Sequence, residues 1–272
     1  MKQKSNICIL LTRGRTGSTA IVSDLNQHSR IEFFQEIFSS FKAKKPYFET
    51  KEGNKIPWYS LFENKNTNQL GSINDYFDHI NGKVRANTSV IGFKLLLNQL
   101  DEMGDSGLLE FVLKNKVPII FLDRKPFNAA MSAAIAKERK IFNVKTKNIG
   151  KDNVQSKMKC KPKVDFKYLI SEITMFRHWS KYWLNFLSEN DHPHVHLSYE
   201  MYCSDRIRSL NKVYNFLGIE TITAIGQNEY VRMTSGNIWK DIKNPIEINF
   251  KYFLFTIFYP LIRKILKSLK RR

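Results

Sequence analysis

The stretch Ile7-Cys8-Ile9-Leu10-Leu11-Thr12-Arg13-Gly14-Arg15-Thr16-Gly17-Ser18-Thr19 decides the fold. Five apolar residues stop at a loop of glycines, arginines and hydroxyls, and a helical pattern over Thr19–Asn26 follows. A short apolar run bounded by turn signals reads as a buried strand. Glycine lets the backbone turn sharply and approach a ligand with no Cβ in the way. Free amides at the start of the next helix, with two hydroxyls and two guanidiniums around them, make an anion cradle. Strand, glycine-bearing loop and helix in that order predict an anion held at the carboxyl end of a first strand.

Three more apolar runs read as strands: Val90–Phe93, Val117–Leu122 and Val195–Leu197. Helical patterns cover Pro126–Lys137 and Phe166–Ser188, and Ser204/Asp205 opens a helix that Gly218 closes. Strands alternating with helices predict an α/β fold, a parallel sheet covered on both faces with ligands at the strand carboxyl ends. The stretch Lys42–Gly82 has no clear period and reads as an irregular excursion with short helices. The length of 272 residues suits one sizeable domain, 1–245, followed by an appendage, 246–272.

Charge narrows the partners. Lys and Arg number 44 against 25 Asp and Glu, a net charge of +19, which favours an anionic partner. The surplus is concentrated: Lys137–Lys167 holds 11 basic and 3 acidic residues, and Phe250–Arg272 holds 7 basic and none acidic. The nearly balanced remainder argues against a nucleic-acid-binding face. Three dispersed cysteines, Cys8, Cys160 and Cys203, argue against a disulfide framework and for a reducing compartment. The N-terminal apolar run is too short for a leader or a membrane span, so the expected location is cytoplasmic.

In the appendage, residues from Phe250 and Phe253 to Leu266 and Leu269 recur at helical spacing as one apolar face, with Arg263, Lys264, Lys267 and Lys270–Arg272 opposite or beyond it. The uninterrupted apolar part, Tyr252–Ile262, contains Pro260 and is too short to cross a bilayer. A basic amphipathic helix suits an anionic membrane surface, including the inner face of a cell membrane. Packing on the main domain, or a homodimer contact, is the competing use.

The first loop is not a Walker A sequence, which needs Gly-Lys-Ser/Thr at its end. Asp123, ending a strand, keeps a kinase alternative open. Arg15-Thr16-Gly17-Ser18-Thr19 after a strand instead resembles the 5′-phosphosulfate loop of sulfotransferases that use 3′-phosphoadenosine 5′-phosphosulfate (PAPS). Their second signature, an arginine ending a strand and a serine eight residues on, is matched by Phe121-Leu-Asp-Arg124-Lys-Pro-Phe-Asn-Ala-Ala-Met-Ser132. Ile91-Gly-Phe-Lys94-Leu-Leu-Leu-Asn98-Gln99, Leu197-Ser-Tyr-Glu200 and Ser235-Gly-Asn-Ile-Trp239-Lys240 are similar to segments of the bacterial Stf0-type enzymes, a group that includes trehalose 2-sulfotransferase.

The resemblance implies a P-loop-like sheet, PAPS as co-substrate and a carbohydrate or glycolipid acceptor. It implies that Arg13, Gly14, Arg15, Thr16, Gly17, Ser18 and Thr19 bind the 5′-phosphosulfate. Arg124 and Ser132 would hold the 3′-phosphate, and Trp239 would lie near the nucleotide. The segment Glu32-Phe-Phe-Gln-Glu36-Ile-Phe38 matches the one that carries the family's base, so Glu36 takes that role and Glu32 competes for it. Arg15 is expected on the sulfuryl and bridging oxygens; Lys94 either shares that work or pairs with a carboxylate. The irregular segment Lys42–Gly82 would wall the acceptor side. Sulfuryl transfer needs no metal, and His192, His194 and His196 read as strand-entry residues rather than ligands. A nucleotide-binding scaffold without transferase activity is the alternative from another class.

Overall fold

The computed structural model describes residues 6–38, 47–57, 73–97, 99, 108–140, 161–228 and 242–269, with the side chains of 258–259 and 261–269 excepted. The chain divides into two compact units, Met1–Lys125 with Phe176–Tyr230, and Pro126–Met175 with Val231–Arg272.

The first unit is built on a five-stranded parallel sheet. Its strands are β1 (Asn6–Thr12), β2 (Ile31–Phe34), β5 (Val90–Leu96), β6 (Ile119–Asp123) and β7 (His194–Ser198), in the order β2-β5-β1-β6-β7. Side chains alternate across a strand, and the apolar residues divide accordingly. Ile9, Leu11, Phe93, Leu95 and Phe121 enter one core cluster, beneath α2 (Ile73–Lys83) and α3 (Leu108–Lys114). Cys8, Leu10, Ile120, Leu122 and Leu197 enter the other, beneath α1 (Ser18–Leu25), α6 (Tyr199–Ser204) and α7 (Arg206–Phe216). The predicted parallel sheet with two covered faces is what the chain forms.

Two local features depart from the sequence reading. The edge strand β2 was not expected there, because Glu32 interrupts its apolar run. Glu32 is only 2% exposed and accepts a hydrogen bond from the Lys51 amide at 2.7 Å. Within Lys42–Gly82 the described residues include an antiparallel hairpin, β3 (Tyr47–Glu49) and β4 (Lys55–Pro57), turning through Gly53 at φ 80°. Strands of three residues are too short for a period to register. The predicted cap pair on α7 does form: the Asp205 carboxylate accepts from Arg208 N at 2.9 Å, and Gly218 lies at φ 66°.

A buried polar clasp ties α1 to α6 and α7. Asp24, fully buried, accepts from Arg206 Nε at 2.9 Å and Nη2 at 2.8 Å, from Tyr202 Oη at 2.6 Å and from Asn228 Nδ2 at 2.6 Å. Burial, reinforced by the bond to Asp24, pushes the Tyr202 phenol far above its ordinary range.

In the second unit, α4 (Pro126–Arg139), the opening of α5 (Phe166–Glu189) and α8 (Pro245–Leu269) contribute the helices. Ile248 is fully buried, and the Tyr252 ring packs on Phe127 with centroids 4.5 Å apart. Ile246, Phe250, Phe253 and Ile257, spaced along another stripe of α8, are exposed by 85%, 62%, 58% and 50%. The helix therefore uses one stripe for packing and leaves a second, apolar one in solvent. Among the described residues no helix is long and apolar enough to cross a membrane.

Removing Arg206, whose side chain is 32% exposed, takes the charged donor from Asp24 but leaves it Tyr202 and Asn228, a loss of about 1.5–3 kcal/mol. Arg206→Met should lower the unfolding free energy by roughly that amount, read as a reduced urea midpoint at unchanged slope.

Candidate active site

The parallel register aligns the carboxyl ends of all five strands on one edge. Four of the sequence-predicted positions lie there within the first unit: the loop after β1, Glu36 after β2, Lys94 near the end of β5, and Arg124 after β6.

The loop is held from inside. The Thr12 and Thr16 hydroxyls lie 2.6 Å apart; Thr12 also donates to the Leu122 carbonyl at 2.9 Å, and Thr16 to the Arg13 carbonyl at 2.8 Å. Thr16 is 1% exposed, so its hydroxyl serves the loop from inside. Arg15 and Gly17 have φ of 71° and 83°, and Gly17 caps α1 with no side-chain cap on its amides. The Ser18 and Thr19 N–H groups have no intrahelical acceptor, whereas Ala20 N–H reaches the Gly17 carbonyl at 3.0 Å, and this end carries the positive end of the helix dipole.

Arg124 is tied to this loop. Its Nη1 donates to the Arg15 carbonyl at 3.0 Å, and its guanidinium sits 4.7 Å above the Tyr199 ring. The same ring lies against Gly17: a Cβ there would meet Tyr199 at 2.0 Å. Glu200 accepts from the Lys125 amide at 3.2 and 3.3 Å, pinning the turn that carries Arg124. Tyr199 and Glu200 were quoted from the sequence only as part of a matching block. Their work in seating Arg124 depends on β7 lying beside β6, which no local pattern reports. Arg13 lies 4.5 Å over the Phe176 ring. Burial, and then the neighbouring Arg124, lower the Arg15 pKa to about 10. Arg15 stays charged at neutral pH, but in a setting that resists its charge and that an anion would relieve.

Lys94, 5% exposed, places Nζ 2.7 Å from Glu36 Oε1 and 3.5 Å from Thr19 Oγ1. Of its two expected roles, pairing with a carboxylate is therefore observed, and the carboxylate is Glu36. Glu32 lies apart, on β2. Burial raises its pKa, the Lys51 amide partly opposing that, and the Lys51 amine, down to about 8 chiefly through burial, is spent on the carbonyls of Asn26, Ile31 and His28.

Ser132 belongs to the second unit, in the second turn of α4, 5% exposed among buried Ala129, Ala130, Ala133 and Ala134. Trp239 lies outside the described residues. His192 Nε2 meets the Val117 carbonyl at 2.8 Å, His194 Nδ1 the His192 carbonyl at 2.8 Å, and His196 Nε2 pairs with Asp123 at 3.1 Å. Among the described residues no group of three His, Cys, Asp or Glu side chains is placed to hold a metal ion.

A glycine-bearing loop, a helix N-terminus and a buried guanidinium at the head of a parallel sheet define a protein built to hold a phosphate- or sulfate-like anion. The family model described as Stf0 sulphotransferase matches residues 7–241, and the chain belongs to that family. Membership makes it a sulfotransferase and implies PAPS as the donor. No curated protein matches the chain. Similar solved structures include a sulfotransferase from Alicyclobacillus acidocaldarius, with 12% identity, TM-score 0.48, and coverage of 99% of this chain and 97% of that one. A mouse sulfotransferase, SULT7A1, complexed with PAP has 14% identity, TM-score 0.39 and coverage of 81% and 61%. The sulfotransferase domain from the curacin biosynthetic pathway has 12% identity, TM-score 0.38 and coverage of 88% and 80%.

Gly17→Ala forces a left-handed backbone onto a residue with a Cβ and drives that Cβ into Tyr199. The variant should lose about 1–3 kcal/mol of stability, the cost of overpacking. Its affinity for the product 3′,5′-bisphosphate (PAP), measured by calorimetry, should fall at least tenfold.

Proposed function

We propose that the protein transfers the sulfuryl group of PAPS to a hydroxyl of a carbohydrate or glycolipid, with Glu36 as general base. The observation that carries this reading is the chain of contacts from Glu36 through Lys94 to Thr19. It joins a carboxylate at one strand end to the first turn of the helix that follows the anion loop.

In the transfer, Glu36 takes the acceptor hydroxyl's proton as the oxygen attacks sulfur. The new S–O bond forms while the bond from sulfur to the bridging phosphate oxygen breaks, and negative charge grows on that oxygen. Arg15 and the Gly17–Thr19 amides are assigned to the phosphosulfate, and Arg124 and Ser132 to the 3′-phosphate. Lys94 is assigned two tasks, orienting the Glu36 carboxylate and sharing the developing charge. The carbohydrate class follows the family resemblance to trehalose 2-sulfotransferase.

The exposed stripe Ile246, Phe250, Phe253 and Ile257, followed in sequence by Arg263, Lys264, Lys267 and Lys270–Arg272, supports residence at an anionic membrane surface. That placement favours a lipid-linked acceptor and the cytoplasmic leaflet. In this reading residues 1–245 carry the chemistry and 246–272 the attachment.

Two experiments test the proposal. With labelled PAPS and a panel of glycans and glycolipids, Glu36→Gln should lower turnover by about 10²–10⁴ while PAP affinity stays near wild type. Wild-type turnover by the variant would move the base elsewhere. Full-length protein should sediment with phosphatidylserine liposomes at low salt, and Phe250→Ser/Phe253→Ser should not. Full-length protein that stays in solution as a dimer would assign the stripe to a second copy instead.

A further inference from the structure

Phe176, Trp179, Trp183 and Leu187 are spaced three, four and four residues apart on α5 and so share one face of that helix. Three of them serve the sheet. Trp183 and Leu187 belong to the core cluster that holds Ile9, Leu11 and Phe121, and Trp179 packs against it. Phe176 is 3% exposed, yet it enters neither of the two core clusters that cover the sheet. α5 ends at Glu189, just before β7 starts at His194, so its last turn lies at the amino edge of the sheet. Followed backwards from Leu187, the stripe climbs roughly 16 Å, about the length of a five-residue strand. Phe176 stands at its top, where the loop after β1 leaves the sheet.

Over one face of the Phe176 ring lies the Arg13 guanidinium, 4.5 Å from the centroid. Both residues belong to the first unit. The Arg13 carbonyl accepts from Thr16 Oγ1 at 2.8 Å, so the backbone of Arg13 is fixed from inside the loop and its side chain from α5. A guanidinium donates hydrogen bonds in its own plane, and its flat face carries no donor. A ring against that face excludes water from it and holds the plane without taking up an N–H group. The donors then keep their direction for the oxygens of an anion.

We infer that Phe176 is a positioning residue for the donor: it acts through Arg13, fixing the guanidinium plane that meets the 5′ end of PAPS. The inference rests on the sulfotransferase reading, in which Arg13 binds the 5′-phosphosulfate. It adds a residue that lies outside every segment matched to the family, on a helix those segments do not include. A leucine at this position would fill much of the same volume but present no π face to the cation, so the two side chains separate packing from positioning.

The test is calorimetry on full-length protein with two nucleotides, PAP and adenosine 3′-phosphate, which lacks the 5′ group that Arg13 would meet. Phe176→Leu should weaken PAP about five- to tenfold and leave adenosine 3′-phosphate within about twofold of wild type. Phe176→Met, a second variant without a ring, should give the same result, and Phe176→Tyr, which keeps the ring, should bind PAP as the wild type does. In an Arg13→Gln background, Phe176→Leu should cause no further loss. Equal losses for the two nucleotides, additive effects of the two substitutions, or wild-type PAP affinity in both ring-free variants overturns the inference. Wild-type protein that binds PAP no better than adenosine 3′-phosphate overturns the donor assignment itself, and the role of Phe176 falls with it.

Discussion

The Tyr199 ring occupies the space in which a side chain at Gly17 would begin, and the opposite demand comes from Arg124, whose guanidinium rests on the same ring. One aromatic plate thus sets how closely the loop after β1 approaches the turn after β6. The plate is itself fixed by β7, which runs parallel to β6 with Asp123 opposite Ser198. Ser198 caps α6 by accepting from the Met201 amide, and Glu200 accepts from Lys125. Shifting β7 by one residue would reverse its faces and remove both the ring and the carboxylate from the edge. Register is therefore the constraint on which the geometry of the anion loop depends.

The same logic explains what could be read from the chain alone. The loop was legible because its chemistry is local: a strand, a turn that only glycine makes easily, and a helix start lie within thirteen consecutive residues. The α7 caps and the alternation of strands with helices were legible for the same reason. β2 was not, because its identity comes from partners. Glu32 breaks its apolar run, and its buried carboxylate is met by the Lys51 amide, nineteen residues on, with the Lys51 and Arg85 charges nearby. The hairpin carrying Lys51 has strands too short to show a period. The pairing of Lys94 with Glu36 joins β5 to the segment after β2 and has no sequence signature; the sequence offered a base and a lysine with two possible roles, but not that each is the other's partner.

The appendage shows why amphipathic patterns underdetermine use. Packing and solvent exposure looked like competing readings of one apolar face. The helix has enough apolar surface for both: Ile248 is buried and Tyr252 packs on Phe127, while Phe250 and Phe253 are exposed. A helix that packs by one stripe is held in place, so the other is presented at a fixed angle rather than on a loose tail.

Electrostatics links these parts. Arg15 and Arg124 are near enough to depress the Arg15 pKa, in surroundings where burial already resists its charge, and Lys94 is buried a few ångströms from the start of α1. Glu36 balances Lys94. The mutual repulsion of Arg15 and Arg124 adds to the positive end of the α1 dipole. A ligand with several negative charges weakens that repulsion as it binds, and part of its affinity comes from doing so. A singly charged ligand would relieve less of it than a bisphosphate. Selection by charge count therefore follows from the spacing of the cations, before any base or ribose is contacted.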